Sequence, residues 1–370
     1  MTARAGRGAQ APFVEQAPFG VTADGEPVQA FTLHGGGIEV RVMELGATLV
    51  SIRTPDRAGV MGDVILGYDN LASYERNTAY VGALCGRYAG RIANGRFELD
   101  GEPHALTVNA PPHHLHGGTL GFNRVTWRGR IVECPMGDAT VELTYESHDG
   151  EEGYPGALSV SCRVSLEASG DIWLRYRATV NKLTPLNLTH HPYFNLSGGT
   201  SRDVLGHELQ LRASRYLPVD STLVPRGDIV DVAGTPFDFR VLTPIGARID
   251  APDEQLAFGA GYDHCFVLDD ASTVSAANLD GAPAAILRDP LSGRVLEIRT
   301  TSPALQVYSG NYLDRERGRV GDALARRAGV SLEAQRYPDA PNQPSFPSAI
   351  LRPCEPWEGV TCYRFRLSSA

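Results

Sequence analysis

Six of the ten histidines fall in three places: His113, His114 and His116 together, His190 and His191 side by side, and His264 directly after Asp263. Imidazole is the side chain suited to acid-base work near neutral pH. Three uses compete for such clusters: metal ligation, proton transfer and structural hydrogen bonding. The metal reading starts from His114-Leu115-His116, whose two rings would share one face of a strand. A cupin-type site wants a glutamate about four residues on, and the chain there reads Thr119-Leu120-Gly121, so a third ligand is missing. No metal is expected. The proton-transfer reading needs a carboxylate. Two stand out, Asp263 in Gly261-Tyr262-Asp263-His264 and Glu333 in Ser331-Leu332-Glu333-Ala334-Gln335. Taken singly, either acid reads as a solvated strand residue. Other chemistries are poorly supplied. All basic residues but Lys182 are arginine, there is no G-K-[ST] phosphate loop, and the six cysteines are scattered without a C-x-x-C.

The elements that would position these groups are strands. Ile38, Val40 and Val42 alternate with polar residues, as do Val141, Leu143 and Tyr145, and Tyr363, Phe365 and Leu367. Longer alternations over 158–167 and 171–181, joined by Ala168-Ser169-Gly170, predict a hairpin. Forty glycines and 25 prolines supply the turns of a strand-rich fold. Short helices are expected only at 68–76 and 319–328. The first 20 residues read as a loose tail and 21–370 as one large antiparallel β-sandwich domain. The 370 residues are 42% hydrophobic and 21% charged, which excludes wholesale disorder, and the net charge of −9 argues against a general nucleic-acid binder. With no apolar run of membrane-spanning length and no signal-peptide pattern, a cytoplasmic protein is expected, with free, mostly buried thiols.

Seven blocks in order change the weight of the lone acids. They are GALCGRYAGRIANGRFELDG (82–101), PPHHLHGG (111–118), DGEEGYPG (149–156), NLTHHPYFNLSG (187–198), GYDHCF (261–266), QVYSGNYLD (306–314) and SLEAQRYPDAPNQPSFPSAILRP (331–353). Together they resemble the aldose 1-epimerases, or galactose mutarotases. The resemblance implies an all-β fold, a large antiparallel β-sandwich of the galactose mutarotase type. It implies cofactor-free interconversion of the α and β anomers of a free aldose such as galactose or glucose, by a monomer or homodimer. By the same resemblance Glu333 is the general base and His191 the general acid, while Arg91, His116, Asp263 and Gln306 hold the sugar. Three positions depart from the family's asparagines: Gly90, His113 and His190. These departures keep open a different hemiacetal or phosphorylated substrate, since polar groups that read hydroxyls set specificity. A non-catalytic sugar-binding protein on the same scaffold would lack the base or the acid, and both are present. Tyr193, Phe194, Tyr308, Tyr312 and Trp357 are expected mostly in the core.

Overall fold

The computed structural model describes residues 11–134, 136–269, 279, 281–319 and 324–368. Three antiparallel sheets dominate it. The largest has nine strands, in the spatial order Arg128–Ile131, Ala139–Ser147, Leu158–Leu166, Asp171–Val180, Trp357–Leu367, Arg294–Thr300, Ala285–Arg288, Glu208–Leu211 and Thr243–Pro244. The predicted hairpin forms its third and fourth strands, with Leu158 opposite Val180 and Leu166 opposite Ile172. Leu158, Val160, Cys162, Val164 and Leu166 are all buried, while the residues between them are exposed or partly so. Each fully buried leucine or valine of such a row contributes about 1.5–3 kcal/mol.

A five-stranded meander, Phe13–Val21, Pro27–Gly35, Ile38–Met43, Thr48–Pro55 and Met61–Asp63, packs against one end of the large sheet. A six-stranded sheet runs Tyr193–Phe194, Val330–Gln335, Ala304–Tyr308, Asp263–Val267, Arg215–Leu217 and Val230–Asp231. One hydrophobic core joins all three: Phe31 and Val40 from the meander, Leu143 and Leu296 from the large sheet, and Leu305 and Leu332 from the six-stranded one. The strand Val330–Gln335 is buried at every position. Its Val330, Leu332 and Ala334 belong to that core, so Ser331, Glu333 and Gln335 face the other way.

Two expectations need correction. Phe13–Val21 is not part of a tail but the edge strand of the meander, paired with Pro27–Gly35. Its side chains are half-buried or exposed, so backbone pairing rather than a buried face holds it. The helix expected over 319–328 is absent from 324–328, which is irregular, and 320–323 lie outside the described residues. The other helix is present as Leu71–Glu75, capped by Asn70. All six cysteines are free and four of them buried.

Candidate active site

The outward face of the six-stranded sheet is the floor of a cavity of about 290 Å³. Strand register builds that floor. Glu333 lies opposite Gln306, Gln306 opposite Cys265, and Cys265 opposite Leu217, a single row across four strands. The neighbouring row runs Tyr193, Ser331, Tyr308, Asp263. Gln306 Nε2 donates to Asp263 Oδ1 at 2.7 Å, tying the two rows together. Glu333 Oε2 and Gln306 Oε1 are buried acceptors with no protein donor. Such groups are costly in a dry site and are suited to a ligand rich in hydroxyls.

Loops supply the remaining groups. Arg91–Ile92 pairs with His114–Leu115, placing Leu115 opposite Arg91 at the cavity. The first arginine of the block 82–101 is structural instead. Arg87 is buried and donates to the carbonyls of Pro155 and Gly156. His116 follows in the left-handed region, at φ +50°, and leads into Gly117 and Gly118 at +92° and +101°. A Cβ on Gly117 would lie 1.7 Å from the Gly86 carbonyl oxygen, and one on Gly118 2.0 Å from Glu152 Oε2. Only glycine can follow the histidine through this turn. His191 emerges beside the short strand Thr189–His190. Its Nε2 is 3.3 Å from Glu333 Oε1, and its Nδ1 3.3 Å from Ser331 Oγ. Ligand-type atoms of His116, His191 and Glu333 all lie within 4.8 Å of one another. The His116 and His191 rings are nearly perpendicular, with centroids 5.5 Å apart, and Tyr80 packs 4.6 Å from His116.

Burial sets the electrostatics. It pushes the Glu333 carboxyl well above its usual range, and nearby Asp263 adds to the shift while Arg91 opposes it. Asp263 is raised by burial and pulled back by Arg91 and Gln306. Burial lowers His191 to about 4. His116 falls well below its ordinary value through burial and the nearby His191 and Arg91. Its Nδ1 also accepts a hydrogen bond from the Gly90 N–H at 3.1 Å. A second proton on His116 would break that bond, so His116 is held neutral with Nε2–H directed away from the backbone. His191 has no such constraint: a serine hydroxyl can turn to accept from Nδ1, and a carboxylate faces Nε2.

All six expected site residues therefore belong to one place. Arg91, His116, Asp263, Gln306 and Glu333 line the cavity, and His191 reaches it through Glu333. The family model for aldose 1-epimerase matches residues 29–364. The chain belongs to the aldose 1-epimerase family. It is 38% identical over 357 residues to the galactose mutarotase of Rattus norvegicus, covering 96% of this chain and 99% of that protein. It is 39% identical over 346 residues to the aldose 1-epimerase of Escherichia coli K12, covering 92% and 96%. The crystal structure of galactose 1-epimerase from Lactobacillus acidophilus superposes with a TM-score of 0.84 at 28% identity, covering 96% of this chain and 99% of that one.

At this site, two of the three departures lie outside the cavity lining. His190 is buried between the Tyr176 hydroxyl, 2.7 Å from Nδ1, and the Ala47 carbonyl, 2.9 Å from Nε2. His113 accepts from the Asn94 N–H and meets Thr222 Oγ1 at 2.8 Å, tying down the 219–225 loop whose Val219, Leu223 and Pro225 line the cavity. Only Gly90 touches the cavity itself. The H-x-H pair also separates: both nitrogens of His114 are taken, by the Thr107 carbonyl and the Tyr154 hydroxyl. Tyr193, Tyr308 and Tyr312, expected mostly as core, line the cavity. Sequence reasoning missed Tyr80, Glu316 and Gln335. Tyr80 and Glu316 sit on loops with no motif. Gln335 carried a usable signal, since it is two residues past Glu333 on the same strand face.

Proposed function

We propose that this isomerase interconverts the α and β anomers of a free aldose, with Glu333 as general base and His191 as general acid. The supporting observation is the 3.3 Å contact between His191 Nε2 and Oε1 of the cavity-lining Glu333, beside a neutral His116. Ring opening needs one proton removed from the C1 hydroxyl and one delivered to the ring oxygen. Glu333 takes the O1 proton as the O1–C1 double bond forms. The C1–O5 bond breaks, and O5 takes the proton of His191 Nε2. The aldehyde rotates about C1–C2. Glu333 then returns its proton to O1 and His191 accepts that of O5, closing the ring on the other face. The pair carries one proton throughout. It is ionic before opening and neutral after it, and the burial that raises Glu333 and lowers His191 brings the two arrangements closer in energy. Each such group contributes about 10²–10⁴-fold.

His116 Nε2–H, Arg91, Asp263 and Gln306 hold the hydroxyls and the ring oxygen. Among the described residues lining the cavity, Arg91 is the one cation, against the carboxylates of Asp263, Glu316 and Glu333. An uncharged sugar suits that balance better than a sugar phosphate, whose anion needs several donors. Polarimetry of freshly dissolved α-D-galactose and α-D-glucose tests the reading. A faster approach to rotational equilibrium that is proportional to protein concentration is expected. Unchanged rates on both sugars would contradict it.

A further inference from the structure

Beyond the acid-base groups and their four expected partners, one buried polar side chain lining the cavity has no hydrogen-bond partner at all. Gln335 lines the cavity, is 1% exposed, and has no hydrogen-bond partner on its amide oxygen or its amide nitrogen. The Cys265 thiol lies close to it, but a thiol is only a weak donor. A buried primary amide can donate two hydrogen bonds and accept two, so leaving both ends unmade is costly. The position is also rigid. The next residue, Arg336, donates its N–H to Asn187 Oδ1 at 2.7 Å, and its carbonyl accepts from Asn187 Nδ2 at 3.2 Å. The same Nδ2 bonds the Ala89 carbonyl at 2.8 Å, two residues before Arg91. One buried asparagine thus locks the strand end carrying Gln335 to the segment carrying the sugar-binding arginine. An unpartnered amide on a rigid backbone is arranged for a ligand rather than left loose.

We propose that Gln335 is a further sugar-binding residue, reading a hydroxyl on the side of the ring remote from C1. This rests on the aldose reading above. Glu333 and Gln335 are two residues apart on one strand face, a separation of about 6.6 Å. With Glu333 at O1, the Gln335 amide falls across the ring, at the C3 or C4 hydroxyl. Its oxygen can accept from that hydroxyl while its nitrogen donates to the same or the adjacent one. Ala304, opposite Gln335 in the register, is too small to fill that corner. The substrate class that satisfies the site is therefore an aldohexose in pyranose form with hydroxyls opposite the anomeric carbon, and a sugar lacking the hydroxyl in question leaves the amide unpaired again.

The test compares wild type with Gln335→Leu and Gln335→Met by polarimetry, on D-glucose, D-galactose, and the 3-deoxy, 4-deoxy and 6-deoxy hexoses. On the parent sugars KM rises about 5- to 30-fold in both variants, the scale of one or two lost hydrogen bonds, while kcat stays within about twofold. On either the 3-deoxy or the 4-deoxy sugar wild type itself shows the raised KM, and the variants add nothing further. Should one variant fail to fold, the other variant and the wild-type deoxy series still decide. An unchanged KM in a folded variant overturns the assignment, as does an equal rise on every deoxy sugar, which would mark a packing role. If wild type turns over none of these sugars, the aldose reading fails; if it turns them over and the variants match it, only the role of Gln335 fails.

Discussion

His190 and His191 share a peptide bond and belong to different regions of the molecule. His190 lies in the layer behind the cavity, with both ring nitrogens held by protein groups, Tyr176 and Ala47. His191 lies against the cavity wall, where its Nε2 meets the carboxylate of the lining residue Glu333. The same division separates His114, bonded on both nitrogens, from His116, bonded on Nδ1 alone. Burial lowers all four. A depressed imidazole therefore does not distinguish the proposed acid, His191, from a structural histidine here. What distinguishes them is a nitrogen left free for a ligand. Bond counts at the ring nitrogens separate these four where burial does not, but only beside the cavity: His264 Nε2 is also unpartnered, and its ring is packed against Phe237 and Tyr216.

The contrast can be broken by mutation. The largest effect belongs to His191→Asn: kcat should fall about 10²–10⁴-fold with folding stability little changed, measured by polarimetry beside urea unfolding. An unchanged kcat with raised KM would make His191 a binding group. His190→Ala should do the reverse. It strands the Tyr176 hydroxyl and leaves a cavity, costing about 3–5 kcal/mol of stability, while the folded fraction keeps kcat within a few-fold. Equal losses of activity and no loss of stability would erase the distinction.

Acidification acts on both regions at once. The folded pKa of His190 is about 4 and that of His264 about 3, against an ordinary value of 6.5. Between these limits the unfolded chain binds more protons. The stability they contribute is present above pH 6.5 and is lost as pH falls towards 4. Glu333, raised, works in the opposite sense, its contribution being largest at low pH. With the buried imidazoles of His114, His190, His207 and His264 against it, urea midpoints should fall steadily from pH 6.5 to about 4.5, and His190→Asn should flatten that slope. A flat wild-type profile would show that burial does not hold these imidazoles neutral. A milder change is Arg91→Lys, with about a 10-fold rise in KM and kcat nearly kept, because an ammonium cannot reproduce the planar fork towards adjacent hydroxyls.

Much of this was legible in the chain, for a definite physical reason. Strands such as Leu158–Leu166 bury one face only, and period-two alternation records it. The Gly117-Gly118 pair records a turn that no side chain can enter. The strand Phe13–Val21 escaped because an edge strand held by backbone bonds leaves no such pattern. His113 and His190 looked like altered sugar contacts because a histidine in a motif does not reveal which layer it enters. Only the fold shows Thr222 and Tyr176 waiting for them. Tyr80 and Glu316 reach the cavity on loops placed entirely by tertiary contacts, which local sequence does not encode.

The proposed chemistry depends on one buried carboxylate opening the sugar ring together with His191. The decisive experiment is the polarimetric rate on α-D-galactose and α-D-glucose for wild type and Glu333→Gln side by side, with urea midpoints verifying that both are folded. Wild type should accelerate anomer equilibration, and the variant should lose at least about 10²-fold of that rate. A folded Glu333→Gln protein that equilibrates either sugar as fast as wild type would refute the assignment of the base.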